Sequence, residues 1–335
     1  MRLGSRGSAL ALAQARSVAG QLQRAGHGPV EVVTITTAGD HDAATGDKSR
    51  WTGALERALA VGEIDLAVHS AKDVPGELGE GLVLLGAPAR GAVEDVLCLA
   101  AGDRDPTAGE HGGGLDLLPS GTRVGTSSLR RAAQLRAART DLEVVGVRGN
   151  IDTRLRKLAG DGRATDGHAA DGRAIAELDA IVLARAGLER IGRESEIGTV
   201  LDPTRFVPAP GQGTLALQGR AGDTDIQAAV DAIADALTFA CLLTERALAT
   251  ALDANCDTPL GAWASDGGGG RLHLRTWLGL PDGSAWVADE LVGDRDDPES
   301  LGRRVAERML SAGAGELLET MSNATTAPRR PSRRE

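Results

Sequence analysis

The stretch Thr122–Leu158 decides the fold of this chain, and it reads TRVGTSSLRRAAQLRAARTDLEVVGVRGNIDTRLRKL. A short strand at Arg123–Gly125 is predicted to lead into a helix over Leu129–Arg139, because apolar residues recur there at helical spacing. The apolar run Leu142–Val147 predicts a second strand, and a second helix begins at about Ile151. Strands and helices that alternate in this way are typical of an α/β domain with a parallel sheet.

Arginines lie near the start of both helices. Arg130 and Arg131 occupy the first turn of the first helix, and Arg148 and Arg154 repeat the pattern in the second unit. The helix dipole disfavours cations there by roughly 0.3–1 kcal/mol each, whereas the free backbone N–H groups attract anions. Guanidinium groups bind carboxylates in a bidentate fork. We interpret the pattern as a cleft for a ligand with several carboxylates; the alternative is a solvent-exposed arginine face.

The composition is that of an ordinary globular protein, at 41% hydrophobic and 25% charged residues. A length of 335 residues is enough for two or three domains. Aromatic residues make up only 2% of the chain, so the cores must consist of aliphatic side chains. The net charge is −10 although the quoted stretch is basic. This contrast argues against a nucleic-acid-binding surface and favours a local pocket for a small anion.

The three cysteines, Cys98, Cys241 and Cys256, are far apart, and no CxxC pair occurs. The sequence therefore predicts neither a metal site nor a disulfide framework. The apolar patch Ala9–Ala13 is shorter than the core of a secretion signal, and no apolar run reaches the length of a membrane span. We expect a cytoplasmic protein without a membrane partner.

The order of elements predicts two α/β lobes joined by two crossings, with a hinged cleft between them. Pro203–Gly213, rich in proline and glycine, marks one crossing. Gly160–Asp171 is predicted to be an exposed insertion, and Thr37–Ser49 a polar loop. The predicted divisions are domain 1 (1–92 and 207–228), domain 2 (93–206), a small α+β domain 3 (229–322) and a disordered tail (323–335).

Seven segments of the chain, taken in order, resemble the hydroxymethylbilane synthase family, also called porphobilinogen deaminase. They are LGSRGSALALAQA, HSAKDVP, GTSSLRRAAQL, VRGNIDTRL, DAIVLARAGLERIG, PAPGQG and ERALATALDANCDTPLG. The resemblance covers nearly the whole chain, and HSAKDVP, GTSSLRR and RGNIDTRL are its most specific parts. It implies two hinged, doubly wound α/β domains of the type II periplasmic-binding-protein kind, followed by a small α+β domain with a three-stranded antiparallel sheet.

The resemblance also implies an activity. Enzymes of this family are transferases of tetrapyrrole (heme) biosynthesis that join porphobilinogen molecules head to tail and release ammonia at each step. The product, hydroxymethylbilane, is then freed by hydrolysis. The chain grows on a dipyrromethane cofactor, which the resemblance attaches to Cys256 through a thioether. It further implies a monomer with no nucleic-acid partner.

The family's site residues carry over to this chain position by position. Asp73 matches the carboxylate that faces the cationic pyrrole left when ammonia departs. Lys48 and Trp51 match a possible active-site loop. The residues that match binding contacts to cofactor and substrate are Arg6, Ser8, Lys72, Thr126, Ser128, Arg130, Arg131, Arg148, Arg154, Arg190 and Gln212.

The segment before Cys256 departs from the family pattern. Ala254 and Asn255 stand where the family usually has glycines, and Asp253 replaces the usual glutamate. Two alternatives therefore stay open at this point. One is a two-lobed carboxylate-binding module without catalysis, and the other is an inactive paralogue that lacks the cofactor.

Overall fold

The computed structural model describes residues 1–36, 49–100, 114–160, 178–255 and 257–326. Its strands are β1 (Arg2–Ser5), β2 (Glu31–Thr34), β3 (Leu66–Ser70), β4 (Leu82–Gly86), β5 (Asp95–Leu99), β6 (Arg123–Gly125), β7 (Glu143–Val145), β8 (Ala180–Ala184), β9 (Thr199–Val200), β10 (Leu215–Arg220), β11 (Leu260–Gly268), β12 (Arg271–Gly279) and β13 (Trp286–Asp294). Its α-helices are α1 (Ala9–Arg24), α2 (Ser49–Ala60), α3 (Leu129–Ala138), α4 (Ile151–Leu158), α5 (Arg185–Arg190), α6 (Thr224–Asp231), α7 (Ala236–Ala251), α8 (Pro298–Met309) and α9 (Gly315–Thr326).

The first sheet has five strands in the order β2-β1-β3-β10-β4. Strands β1, β2 and β3 run parallel, and β10 runs antiparallel between β3 and β4. Leu3, Leu66 and Leu217 bury their side chains between this sheet and α1. The strand β10 comes from far along the chain, so the predicted return of the chain to the first lobe is confirmed.

The second sheet repeats this plan with five strands in the order β7-β6-β8-β5-β9. Strands β6, β7 and β8 are parallel, and β5 is antiparallel to β8. Ser128 caps α3 by accepting a hydrogen bond from the backbone N–H of Arg131, and Asn150 caps α4 in the same way from Thr153. The polar corners of the quoted stretch therefore do start both helices.

The third sheet is antiparallel, in the order β11-β12-β13, and one of its faces packs on α7 and α8. The predicted fold class is confirmed: two doubly wound α/β sheets and a small α+β unit. The proposed limits at residues 92, 206 and 228 fall between strands of different sheets. As domain boundaries they stay a prediction.

A buried ion pair joins the two crossings to the third unit. Glu245 of α7 is fully buried and accepts from Arg90 Nη1 at 2.7 Å, from Gly211 N at 2.6 Å and from Ala264 N at 2.8 Å. Arg90 lies on the outgoing crossing, Gly211 on the returning one, and Ala264 on β11. One carboxylate thus ties both crossings to the third unit.

Two elements differ from the sequence-based expectation. The sequence pattern predicts a helix over Leu242–Leu252, but helix α7 already begins at Ala236, because Asp235 caps it by accepting from Thr238 N at 2.7 Å. The tail was predicted to be disordered from Asn323, but α9 continues to Thr326. No Pro or Gly interrupts this last turn, and the next proline is Pro328. The rest of the tail, the loop 37–48 and the insertion from residue 161 lie outside the described residues.

Within the described ranges, no single helix is long and apolar enough to cross a membrane. One bent pair, α6 with α7, passes this test on length and composition alone.

Candidate active site

A cleft opens where strands of the first two sheets end. It consists of two adjoining cavities of about 760 and 340 Å³, which share Lys72, Asp73, Arg131 and Arg154 among their lining residues. Eight cationic side chains line the two cavities, against three acidic ones. In a protein of net charge −10, this is a concentrated positive site. The cationic residues are Arg6, Lys72, Arg130, Arg131, Arg148, Arg154, Arg190 and Arg246.

Asp73 ends a short 3₁₀ turn, Ala71–Asp73, that follows β3 directly. The first residue of the turn is fixed, because Ala71 N donates to Thr214 O at 3.0 Å. Gly211 lies against the same backbone at φ +74°, and a β-carbon there would come within 2.9 Å of Ala71 and Lys72. The half-buried carboxylate of Asp73 is therefore held at the cleft by tightly packed backbone.

Lys72 lines both cavities beside Asp73. Burial lowers the pKa of its ammonium group to about 8, although the negative charge of Asp73 acts in the opposite direction. The positive charge of Arg131 reinforces the effect of burial. Lys72 is thus a cation at neutral pH and loses its charge as the pH rises through about 8.

The arginine pair of α3 is held by a carboxylate that the sequence did not single out. Asp95, at the start of β5, is fully buried and accepts from Arg130 Nη2 at 2.7 Å and from Arg131 Nη2 and Nε at 2.8 and 3.0 Å. Burial alone would raise the pKa of Asp95, but the two guanidinium groups overcome it and lower the pKa to about 2. One buried aspartate thus neutralises one of the two cations and fixes both.

The two arginines differ in their remaining contacts. Arg130 Nη1 donates to Val207 O at 2.7 Å. The planar guanidinium group of Arg130 lies over the ring of Phe206, with 5.8 Å between the guanidinium carbon and the ring centre. Arg131 Nη1 donates to Val182 O at 3.1 Å. Arg131 lines both cavities, whereas Arg130 lines only the smaller one. Arg131 is therefore the better placed of the two for a ligand.

Gln212, Thr126 and Ser128 support this pair. Gln212 Nε2 donates to Asp95 at 3.0 Å, while its Oε1 is buried without a hydrogen-bond partner. Thr126 is buried, and its hydroxyl accepts from Ser128 N at 3.2 Å. Gln212 and Ser128 line the smaller cavity, but Thr126 lines neither cavity. Thr126 thus stabilises the corner before α3 without lining the cleft.

Arg148, Arg154 and Arg190 come from the second lobe. Arg154 Nε donates to Gly149 O at 2.8 Å, and burial lowers its pKa to about 10. Arg190 Nη2 donates to Gly213 O at 2.5 Å, and burial lowers its pKa as well. Among the described residues, no carboxylate lies within 4.0 Å of these three guanidinium groups. Their charges are available for carboxylates of a ligand.

Arg6 and Ser8 line the larger cavity from the opposite side, in the first lobe. Ser8 also caps α1, because its hydroxyl accepts from Ala11 N at 3.3 Å. The structure thus brings together, around one cleft, site residues that lie as far apart in the chain as Arg6 and Gln212.

Three of the predicted site residues lack a described side chain. Cys256 and Lys48 lie outside the described residues, and only the backbone of Trp51 is described, within α2. The neighbours of Cys256 are described: Asn255 lines the smaller cavity and Asp257 the larger one. Asn255 Oδ1 accepts from Asp257 N at 2.8 Å. The side chain of Asn255 thus contacts the backbone that follows Cys256.

Two functional-looking residues were missed from the sequence, Asp95 and Arg246. Arg246 lies on α7, and its Nη2 donates to Pro75 O at 2.8 Å and to Gly76 O at 2.9 Å. A signal for Arg246 did exist, since Leu242, Arg246 and Ala249 recur at helical spacing just before the Cys256 loop. Asp95 had no local signal.

Comparison with known proteins agrees with this geometry. Residues 1–228 match the domain family described as "Porphobilinogen deaminase, dipyromethane cofactor binding domain", and residues 239–311 match the family's C-terminal domain. The chain belongs to the porphobilinogen deaminase family. A porphobilinogen deaminase of Stenotrophomonas maltophilia strain K279a is 41% identical, covering 95% of this chain and 98% of that protein. One of Rubrobacter xylanophilus is 42% identical over 94% and 95% of the two chains.

Solved structures share only the general architecture. The methionine binding protein MetQ covers 70% of this chain and 89% of its own, at 14% identity and a TM-score of 0.39. A likeness of this size carries no functional inference.

The cleft fits the dipyrromethane that is named for the matched domain of the porphobilinogen deaminase family. Pyrroles with acidic side chains need several cationic donors and a polar floor, and the cleft supplies both. The buried, unpartnered Gln212 Oε1 is an acceptor that a pyrrole N–H could satisfy. Arg131, Arg154 and Lys72 would hold the carboxylates, next to the two residues that flank Cys256.

Proposed function

We propose that this chain is a porphobilinogen deaminase, which condenses porphobilinogen into hydroxymethylbilane and releases ammonia. The observation that carries the proposal is the cleft itself, in which cations outnumber acids by eight to three around the half-buried Asp73. Each pyrrole of the substrate carries an acetate and a propionate. The number of carboxylates therefore rises with each pyrrole added. Binding such a chain requires several arginines, because a single cationic residue could pair with only one of the carboxylates.

The array has distinct parts in this proposal. Cys256 holds the dipyrromethane through a thioether, and this group supplies the pyrrole on which the new chain is built. Arg131, Arg154 and Lys72 bind the carboxylates nearest to Asp73, because all three line both cavities with it. Residues of the larger cavity, namely Arg6, Ser8, Arg148 and Arg190, bind the incoming substrate or the lengthening chain.

Asp73 has the chemical role in this proposal. Departure of ammonia from porphobilinogen leaves a pyrrole with positive charge, and a carboxylate close to the pyrrole nitrogen stabilises that charge. The same carboxylate can accept the proton that is lost when the new carbon–carbon bond forms. Fixed backbone on the β3 side of Asp73 limits the reorganisation that this requires.

The cofactor is tested by the intact mass of the purified protein. A porphobilinogen deaminase carries the mass of two pyrrole units beyond its sequence, and Cys256→Ser removes them because serine is a far weaker nucleophile. A protein of unmodified mass that binds porphobilinogen without releasing ammonia would instead be a carboxylate-binding module or an inactive paralogue. Added mass that persists in Cys256→Ser would refute the attachment site.

The role of Asp73 is tested by single-turnover release of ammonia. Asp73→Asn keeps the shape and removes the charge, so ammonia release from cofactor-loaded protein should slow by about 10²–10⁴-fold while porphobilinogen still binds. Asp73→Glu keeps the charge one methylene further out and should fall between the two. Release at the wild-type rate in Asp73→Asn would make the carboxylate structural.

We also propose that the protein acts as a cytoplasmic monomer without nucleic-acid or membrane partners. The monomer rests on the resemblance to the family. Cys241 is a buried free thiol, as is common in reducing compartments. The net charge of −10 disfavours binding to polyanions. Light scattering of the purified protein tests the oligomeric state.

A further inference from the structure

We propose that Arg246 is a positioning residue, which holds the turn after Asp73 against the helix that leads to the Cys256 loop. The proposal rests on the proposed function, because it matters only if Asp73 is the reacting carboxylate and Cys256 the anchor. These two residues lie in different structural units. Their separation is therefore set by whatever joins the third unit to the Asp73 turn.

The chain before Asp73 is fixed by its own lobe. Ala71 N donates to Thr214 O at 3.0 Å, and Gly211 packs directly on the backbone of Ala71 and Lys72. Val74 N then closes the turn by donating to Ala71 O at 3.1 Å. None of these contacts is made by the third unit itself, which reaches this part of the chain through the bond from Gly211 N to Glu245.

The chain after Asp73 is fixed from the third unit. Arg246 Nη2 donates to the carbonyl oxygens of Pro75 and Gly76, at 2.8 and 2.9 Å. Among the described residues, α7 forms no other hydrogen bond to this turn. Arg246 is half-buried, and this burial lowers the pKa of its guanidinium group. Two charge-assisted hydrogen bonds from one guanidinium group resist movement of the turn more than one neutral hydrogen bond would.

Residues one helical turn before and after Arg246 lie on the same face of α7 and also contact the chain around Asp73. Leu242, one helical turn before Arg246, packs on Ala71 and Val74. Thr250, one helical turn after it, approaches so closely that a β-carbon on Gly76 would lie 3.3 Å from its hydroxyl. Helix α7 ends at Ala251, only a few residues before Cys256. One continuous helix therefore connects the Asp73 turn to the anchor loop.

This arrangement has a catalytic consequence. A small displacement of a reacting group costs far more in rate than in substrate binding, because only the transition state needs the exact geometry. Loss of the Arg246 contacts should therefore lower kcat and leave KM nearly unchanged. A residue that only binds substrate carboxylates would show the opposite pattern.

The test compares Arg246→Met with a matched control, Arg220→Met. Arg220 Nη1 likewise donates to two backbone carbonyls, those of Leu59 and Ile64, both at 3.0 Å, but it lies away from the cleft. Intact mass gives the loaded fraction of each variant, so that kcat is expressed per loaded molecule. We expect Arg246→Met to lose about ten- to a hundredfold in kcat with little change in KM, and Arg220→Met to keep its kcat.

Hydrogen exchange gives a readout that does not depend on activity. The peptide covering residues 71–80 should exchange faster in Arg246→Met than in wild type, and at the wild-type rate in Arg220→Met. Equal kcat values in the two variants, or unchanged exchange in Arg246→Met, would overturn the inference. So would a rise in KM that Arg246→Lys restores, because that would make Arg246 a ligand for substrate carboxylates. A wild-type protein without added mass would refute the proposed function instead, and the exchange data would still decide whether Arg246 holds the turn.

Discussion

Replacing Asp95 by asparagine should destabilise the protein strongly, because this carboxylate is the buried counter-charge of two arginines. Asp95→Asn keeps the size of the side chain and removes its charge. Arg130 and Arg131 would then share a site with side-chain exposures of only 5% and 7% and no acidic partner among the described residues. Gln212 would lose its charged acceptor as well.

Two figures indicate how much unfolding free energy Asp95→Asn should cost. The pKa of Asp95 falls from 3.8 to about 2, which corresponds to roughly 2–3 kcal/mol in favour of the ionised form. Breaking a buried ion pair from one side typically costs about 3–5 kcal/mol, because a charge is left uncompensated. We therefore expect a loss of about 3–5 kcal/mol, the larger figure if both guanidinium groups stay buried. The sign with pH follows from the lowered pKa: this stabilisation is complete above about pH 4 and is lost as the pH falls through about 2.

Urea unfolding followed by tryptophan fluorescence and circular dichroism measures this loss. Trp263 and Trp277 pack with Ala133 of α3, so their fluorescence reports on the helix that carries the two arginines. Glu143→Gln is the matched control, since it breaks the more exposed pair with Arg123 in the same sheet and should cost under about 1 kcal/mol. An Asp95→Asn protein as stable as this control would refute the reasoning, because Asp95 would then contribute no more than a surface charge.

Three further predictions concern the cleft and its frame. The pKa of Lys72 is about 8, so KM for porphobilinogen should rise as the pH passes upward through 8 and the ammonium loses its proton; Lys72→Met should abolish this limb of the pH profile. Arg154→Leu should raise KM, since one charge-assisted contact is worth roughly 1.5–3 kcal/mol, or about ten- to a hundredfold, whereas Arg156→Leu on the exposed side of the same helix should leave KM unchanged. Glu245→Gln leaves Arg90 buried without its counter-charge and should cost about 3–5 kcal/mol in urea unfolding; a loss under about 1 kcal/mol would show that water compensates Arg90.

The fold was largely predictable because its signals are local. The sequence pattern predicts a helix over roughly Ala9–Arg24, and α1 has these bounds, since Ser8 supplies a cap and the apolar spacing follows at once. The strand β4 and the helix α6 were not predicted. Both stretches are short, and their place in the structure depends on β10, which lies more than a hundred residues away from β4. Pairing of this kind leaves no periodicity in the segment itself.

The part of the site that could be predicted from the sequence consists of arginines near helix starts, where cations are disfavoured. Arg154 and Arg131 break a local rule of helix starts, and the structure brings both to the cleft. The sequence did not show that Arg130 is paired with an acidic residue, because this partner is Asp95, thirty-five residues away in the chain. A buried aspartate at a strand start resembles any other strand residue in the sequence. Only the three-dimensional contact reveals that one of two adjacent cations is already neutralised.

The position of β10 in the first sheet has a consequence for how a ribosome produces this protein. Strand β10 lies between β3 and β4, so the first sheet has an open gap until residue 220 has been synthesised. By then every strand of the second sheet has already been synthesised. The usual order, in which the N-terminal domain folds first during synthesis, is therefore reversed for the completed sheets. A nascent chain whose first 210 residues have emerged from the ribosome should hold a finished second lobe and an unfinished first one, whose unpaired β3 and β4 edges are a natural target for chaperones.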